Sequence, residues 1–520
     1  MSKNKAESIR GSMDIPNTYN RTFFISVSIT FLVIIFFHLF SALSGYPIYR
    51  DQHLGTALEF AKGRIDIFKP IIVGFNATST PTPQELPLWQ AMAGLAFKIF
   101  GTWFGWANIV SLLIFATALW PLYSLARDYL DEKTARWSIL FFLWQPLIIL
   151  KAGEAGVDGM CLALSLWLLY FLGKAILKWN FTSWLIAFLI GPLVAVSKLP
   201  FFLVVGLTGI FLLLASKQKE KIINWVFLIA VGLFSLLIFI IWTRYTDHCI
   251  SLAEFPLVDL RMTHNNRMWW WYFGDWSYRF SLFPWVRGGW RILNSLFGSF
   301  AFLALTLTAL FTLRNYLGKI LLLSASVALI IFSHLFLEHF HYYLIFSPAV
   351  ALLSGQAMAL LEERLELRKL KKYLAFHVLV LLALLFSAIQ GLMSLEIVLN
   401  YDRYPKKITK LIEKYTKPSD KLIIQGGGWG GEQLFLSKRK GLSISTTQVL
   451  EDEKNLIRLK SLGFNKLVMI SESPLLNALQ VTNPGNSERR RQLYQDSITP
   501  KEGEWEKVYQ DTDILVKELP

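Results

Sequence analysis

The stretch TFFISVSITFLVIIFFHLFSALSGYPIYRDQ, Thr22 to Gln52, opens with an apolar run to Ala42 and closes on Tyr49-Arg50-Asp51-Gln52. A run of about 20 apolar residues crosses a bilayer core as a helix. Within this one only Ser, Thr and His38 break the apolar character. Asp51 therefore stands just beyond the first crossing, and the rest of the chain is read from there.

Upstream, Met1 to Asn20 is polar and carries Lys3, Lys5 and Arg10. It lacks the short apolar core and small-residue cleavage site of a removable leader, so the first span reads as an uncleaved signal anchor. Downstream, a chain of 520 residues that is 54% hydrophobic and 15% aromatic is too apolar for a soluble domain of that length. The expected fold class is a polytopic α-helical membrane protein. The net charge of +15 does not form one basic stripe; the excess Lys and Arg flank apolar runs. That placement excludes a nucleic-acid partner and reads as topology and lipid-headgroup contact. Two cysteines, Cys161 inside an apolar run and Cys249 near a loop, argue against a disulfide framework.

Further spans are expected near Phe104–Leu125, Ala135–Leu150, Val157–Leu177, Ser183–Val196, Pro200–Ala215 and Asn224–Trp242. Others are expected near Ile292–Leu313, Ile320–Phe336, Tyr342–Leu361 and Tyr373–Val398, which gives about 11 in all. The cations set the orientation. Arg21, then Arg127, Lys133 and Arg136, then Lys174 and Lys178, then Lys217, Lys219 and Lys221, then Arg364 to Lys372 mark cytoplasmic loops. The N-terminus is thus expected in the cytoplasm, and an odd span count carries residues 401–520 to the outer side.

This phase gathers the polar residues at span ends on the outer face. The first outer loop, about 43–103, holds Asp51, His53, Glu59 and Glu85; Glu154 and Asp158 lie at the third junction, and Lys198 between spans five and six. The long loop, about 244–290, holds Arg261, His264, Arg267, Asp275 and Arg279, and a later turn holds His334, Glu338, His339 and His341. Ionisable residues at such lips point to function rather than to solvated loops. Should the Glu154–Asp158 turn be helical, its two carboxylates share a face. Glu85-Leu86-Pro87-Leu88 opens a short apolar helix that ends at Phe100-Gly101, too short to cross and better suited to the interface.

Arg50-Asp51-Gln52 after the first span, the Glu85-Leu86-Pro87-Leu88 helix ending in Phe100-Gly101, and the acidic turn Glu154 to Asp158 resemble the bacterial GT-C glycosyltransferases. The nearest branch is the protein mannosyltransferase-like and aminoarabinose transferase-like one. Ser197-Lys198-Leu199-Pro200 and His341-Tyr342-Tyr343-Leu344 with Pro348 are similar to short patterns of that branch, and the resemblance covers about residues 20–400. It implies a catalytic membrane domain over 1–400. It also implies inverting transfer of a sugar from a polyprenyl-phosphate donor to a lipid, glycan or protein acceptor, at the outer face of a bacterial cytoplasmic (inner) membrane.

By that resemblance Asp51 is the general base, and Arg50, Lys198, His341 and Tyr342 receive the donor phosphate or sugar. Glu85, Glu154 and Asp158 bind acceptor or sugar. No cofactor is certain. Metal use is left open, with Asp51 and Asp158 as the candidate ligands, because Gln52 stands where the family more often has a second carboxylate. The aromatic run Trp269-Trp270-Trp271-Tyr272-Phe273 and Phe283-Pro284-Trp285 suits either a cover over a lipid-linked donor or an interfacial belt.

The tail, 401–520, alternates helical and extended patterns, with helices at Ile408–Tyr415 and Asn455–Leu462 and strands at Lys421–Gln425 and Lys466–Ile470. That argues a small α/β domain on the outer side. Gly426 to Gly431, with Trp429, lacks the lysine-serine pair and the acidic partner of nucleotide loops, and reads as a strand-to-helix turn. Two other functions compete with sugar transfer: a transporter or flippase for lipid-linked sugars, and a non-catalytic assembly subunit. The first is disfavoured because the ionisable residues sit at span ends rather than at the bilayer midplane.

Overall fold

The computed structural model describes residues 17–44, 48–78, 80–255, 261–263, 266–312, 316–367, 385, 389, 407–425, 431–444, 450, 452–470, 507–510 and 514–518. It is a polytopic helical membrane protein with a small C-terminal sheet. The expected span Tyr373–Val398 lies outside these residues except at 385 and 389, as do His264 and most of the glycine run, residues 426–430.

The chain begins with α1 (Asn17–Leu43), α2 (Asp51–Lys62), α3 (Leu88–Phe100), α4 (Gly105–Tyr129), α5 (Glu132–Leu143), α6 (Pro146–Lys151) and α7 (Asp158–Lys178). It continues with α8 (Phe181–Ser197), α9 (Leu199–Ala215), α10 (Ile222–Ser251), α11 (Asn266–Phe273), α12 (Trp276–Phe280) and α13 (Leu282–Ile292). After a π turn at Leu293–Phe297 come α14 (Phe300–Thr312), α15 (Tyr316–Ile331), α16 (Ser333–Glu338), a 3-10 segment Phe340–Phe346 and α17 (Ser347–Leu367).

Among the described residues, α1, α4, α7, α10 and the stretch Phe340–Arg364 are long and apolar enough to cross a bilayer. The spans expected near Ser183–Val196, Pro200–Ala215 and Ile320–Phe336 appear as helices of 17, 17 and 16 residues. The expected span Ala135–Leu150 is broken. Gln145 is extended and Pro146 starts a new helix, because proline disfavours helical backbone in the residue before it and offers no N–H. A distant partner holds the break: Gln145 Nε2 donates to Ser347 O at 2.8 Å. The expected span Ile292–Leu313 begins later, at Phe300, because α13 and its π turn meet α14 at 98°, with Gly298 in the left-handed region between them (φ 63°).

Close packing follows small residues, as in other membrane helices. A Cβ on Gly355 of α17 would come within 2.6 Å of Ser138 N on α5. Nearby, Trp137 Nε1 donates to the buried Glu362 Oε2 at 2.7 Å. Helix α3 has 13 residues, about 20 Å at 1.5 Å per residue, against a core of about 30 Å. Pro87 stands immediately before it rather than in its first turn, and Gly101 ends it at φ 89°. It lies along α2, where a Cβ on Gly94 would sit 2.8 Å from Phe60 Cβ.

In the tail, α18 (residues 407–415) precedes β1 (Lys421–Gln425), α19 (Glu432–Leu436), β2 (Lys440–Ile444), α20 (Glu453–Ser461), β3 (Lys466–Ile470), β4 (Lys507–Gln510) and β5 (Ile514–Glu518). The sheet order is β2-β1-β3-β5-β4. The first three strands are parallel, and β5 and β4 are antiparallel to their neighbours. Ile408, Ile412, Leu422, Ile424 and Val468 fill one side of it.

Candidate active site

The site is assembled by a short extended stretch just before α2. Tyr49 pairs with Ala155 as an isolated parallel bridge: Arg50 N donates to Ala155 O at 3.0 Å and Ala155 N to Ile48 O at 2.9 Å. Asn108 of α4 straps both strands, its Nδ2 donating to Ile48 O at 2.8 Å and Gly153 O at 2.7 Å. Asp51 thus starts α2 beside the segment that starts α7 with Asp158. An acid in the first turn faces the positive end of its helix, and Asp51 Oδ1 accepts from Gln52 N at 2.8 Å.

The residues from Glu154 to Val157 do not form a helix, which corrects the expected shared helical face: Ala155 is bridged to Tyr49 and the chain bends at Gly156 and Val157 before α7. Glu154 and Asp158 nevertheless meet at one cation. Lys151 Nζ lies 2.5 Å from Glu154 Oε1 and 3.9 Å from Asp158 Oδ2. Asp158 also receives Arg50 Nη1 at 3.2 Å and Lys198 Nζ at 2.6 Å. Lys198, at the break between α8 and α9, lies 3.7 Å from Glu85 Oε1 and 4.6 Å from the centroid of the Tyr342 ring. His53 Nδ1 accepts from Gln90 Nε2 at 2.8 Å, and its Nε2 lies 3.9 Å from Glu85 Oε2.

Burial and charge tune the groups in the loops. Burial raises the Glu85 carboxyl above its ordinary range although Lys198 and Arg50 oppose it. Burial first, then the Arg50 charge, keeps His53 well below 6.5, so it is neutral. Burial alone would weaken the Arg50 guanidinium, but Asp158, Glu154 and Glu85 more than compensate and hold its charge firmly.

Part of this set lines a cavity of about 420 Å³ that is open to solvent. Arg50, Asp51, Glu85, Lys198, His341 and Tyr342 are all on its wall, with Gln52, His339, Trp271 and Tyr272. Glu154 and Asp158 stand behind that wall, buried; Asp158 reaches it through Arg50 and Lys198, while Glu154 pairs with the buried Lys151. Of the aromatic run only Trp271 and Tyr272 face the cavity, while Trp269, Trp270 and Phe283 are exposed elsewhere. The expected residues are therefore brought together, with a difference in rank: some can touch a ligand and others act through a neighbour.

Lys151 and Gln90 were not among the residues that the sequence singled out, and His53, gathered with Asp51 on the outer face, was assigned no role. Lys151 closes the apolar run Leu147-Ile148-Ile149-Leu150 and reads as the end of a span; its spacing of three from Glu154 was the available signal. Among the described residues, no group of three or more His, Cys, Asp or Glu side chains could hold a metal ion. Asp158 in particular already faces three cations, so its donor set does not fit a divalent metal.

The family described as dolichyl-phosphate-mannose-protein mannosyltransferase matches residues 81–243. No curated protein matches the sequence. Among solved structures, ArnT from Cupriavidus metallidurans bound to undecaprenyl phosphate shares 14% identity at a TM-score of 0.59, over 97% of this chain and 98% of that one. The Archaeoglobus fulgidus oligosaccharyltransferase, in complex with Zn and sulfate, shares 12% at 0.54, over 86% of this chain and 68% of that one. The segment that matches the mannosyltransferase family holds Glu85, Glu154, Asp158 and Lys198, and the helical frame around it is that of ArnT. By sequence, residues 81–243 are thus similar to the protein mannosyltransferase family, and by fold the chain is similar to ArnT and to the Archaeoglobus fulgidus oligosaccharyltransferase.

Proposed function

We propose that this chain transfers a sugar from a polyprenyl-phosphate donor to a hydroxyl of a lipid, glycan or protein acceptor, with inversion, at the outer face of a bacterial cytoplasmic membrane. The observation that carries the reading is one cavity wall bearing both a carboxylate, Asp51, and two firmly held cations, Arg50 and Lys198. The acceptor oxygen forms its bond to the anomeric carbon as the bond from that carbon to the phosphate oxygen breaks. The electron pair leaves on the polyprenyl phosphate, and the acceptor proton goes to Asp51.

Negative charge grows on the departing phosphate, where Arg50 and Lys198 face it without reorganising, since Asp158 already orients both. His341 and Tyr342 offer hydrogen-bond donors on the same wall. Glu85 accepts from sugar or acceptor hydroxyls, and Trp271 and Tyr272 offer flat faces to sugar and prenyl chain. The basic-loop alternation supports a cytoplasmic N-terminus and an outer C-terminal domain. The likeness to ArnT bound to undecaprenyl phosphate supports the lipid class.

The test replaces the native chain by its Asp51→Asn variant in cells and reads glycolipids and surface glycans by mass spectrometry. Loss of a glycosylated product with retained binding of undecaprenyl phosphate supports the reading. An intact product removes Asp51 as base, and lost lipid translocation without any change in sugar transfer favours a flippase.

A further inference from the structure

The C-terminal domain is fastened to the base-bearing segment by contacts that admit little slack. Phe435 of α19 leaves its own domain and joins the core of the membrane domain. Its ring stands 6.3 Å from that of Tyr49, and a Cβ on Gly55 of α2 would lie 3.2 Å from it. Beside it, Glu432 Oε1 accepts from the Tyr49 hydroxyl. Tyr49 directly precedes Arg50 and Asp51, and Gly55 lies in the first turns of α2.

A second seam lies along residues 73–77. Gly74 and Gly431 are both in the left-handed region, at φ 75° and 58°, and face each other across the two domains. A Cβ on Gly74 would come within 3.0 Å of Gly431 Cα and 2.9 Å of Leu434 Cδ1, and one on Gly431 would meet the Val73 carbonyl oxygen. Both conformation and space therefore require glycine there. Ser443 N donates to Gly74 O at 2.7 Å, so the first loop adds a bridge to β2, an edge strand of the sheet. An open sheet edge is a natural place for such a graft. Arg458 and Glu254 join the long loop to α20.

We propose that the C-terminal domain is a positioning element for the reaction, in which Phe435 and Glu432 hold Tyr49 and the first turns of α2 and thereby aim Asp51. This rests on the reading of Asp51 as base. Nothing in the domain needs to touch the donor lipid phosphate for this role. A base displaced by a fraction of an ångström loses rate while the lipid site keeps its affinity.

The test uses the full chain carrying Phe435→Ala, Tyr49→Phe or Glu432→Gln. It compares amide hydrogen exchange over residues 48–62, undecaprenyl phosphate binding in detergent, and glycosylated product in cells by mass spectrometry. For Phe435→Ala and Tyr49→Phe, exchange over 48–62 should rise and product fall on the order of tenfold, while the lipid Kd stays within about twofold. Glu432→Gln keeps an acceptor oxygen for Tyr49 and should recover at least about half the native product.

Unchanged exchange over 48–62 in both damaging variants overturns the proposal, as does faster exchange with undiminished product. A parallel loss of lipid affinity also overturns it, because that marks general loosening of the site. Should Phe435→Ala fail to fold, Tyr49→Phe, which removes one oxygen, decides the matter alone. Asp51→Asn run beside them separates the two ideas: if its product is intact the base assignment falls, and the exchange data still report whether the domain orders the segment.

Discussion

Lys198 Nζ stands 2.6 Å from Asp158 Oδ1, and the two side chains are 2% and 1% exposed. A buried pair of this kind resists the loss of one partner far more than the loss of both. Lys198→Met should destabilise the protein by about 3–5 kcal/mol, read as a lower melting temperature in detergent, and should abolish undecaprenyl phosphate binding. Lys198→Met with Asp158→Asn, which removes the uncompensated charge and keeps an acceptor for Arg50, should recover part of the stability and none of the binding. Binding that survives in the stable double variant would remove Lys198 from the phosphate site.

Asp51 sits half-buried at the start of α2, on the wall of the open cavity, so its charge can be removed with little structural cost. Asp51→Asn should lower product formation by at least about a hundredfold, the usual range for a general base. The melting temperature and the lipid affinity should stay near those of the native protein. A comparable loss in both would mean that the amide had disturbed the fold rather than the chemistry.

His53 gives the protein an acid limit. Its pKa is held well below 6.5 by burial and by Arg50, so the stability that comes from keeping it neutral is complete above pH 6.5. That contribution is lost as the pH falls from 6.5 toward the lowered folded value, by at most about 1.4 kcal/mol per pH unit. His53→Gln should therefore flatten the melting temperature below pH 6.5 and leave its slope at higher pH alone. An identical acid limb in the variant would assign the proton uptake to other groups.

Gly94 sets how closely α3 lies on α2. A side chain there would press on Phe60 Cβ at 2.8 Å and on Ala57 O at 3.0 Å, both on α2. Gly94→Val should cost about 1–3 kcal/mol and, because α2 begins with Asp51, should reduce product as well. A melting temperature equal to the native one would show that the two helices separate freely.

The sequence disclosed the parts of this molecule whose signals are local. The apolar runs of α1, α4, α7 and α10, the strands Lys421–Gln425 and Lys466–Ile470, and the helix ending at Gly101 follow from hydropathy, short apolar runs and turn residues. Asp51, Glu85, Asp158 and Lys198 were visible because carboxylates and lysines at span ends are conspicuous. What stayed hidden depends on distant partners. Lys151 looks like the polar end of a span until Glu154 and Asp158 fold back on it. Gln90 is an ordinary helical amide until His53 is placed 2.8 Å away. Strand β2, Lys-Gly-Leu-Ser-Ile, has a weak local pattern and exists because β1 and the Gly74 segment flank it. The kink at Pro146 was written in the sequence and was outweighed by the continuous hydropathy around it.

The bridge between Tyr49 and Ala155 makes the spacing of the proposed reactive groups a matter of backbone geometry between two crossings. Arg50 and Asp51 follow the exit of α1, Asp158 opens α7, and two backbone hydrogen bonds fix the distance between these ends. A bilayer thicker or thinner than α1 and α7 match makes each helix tilt by its own amount, and the difference is delivered to that bridge. Product formation in vesicles should then vary with acyl-chain length at constant headgroup, with an optimum where undecaprenyl phosphate affinity shows none. Membrane thickness becomes a variable of the bond-making step, and not only of how the chain is inserted.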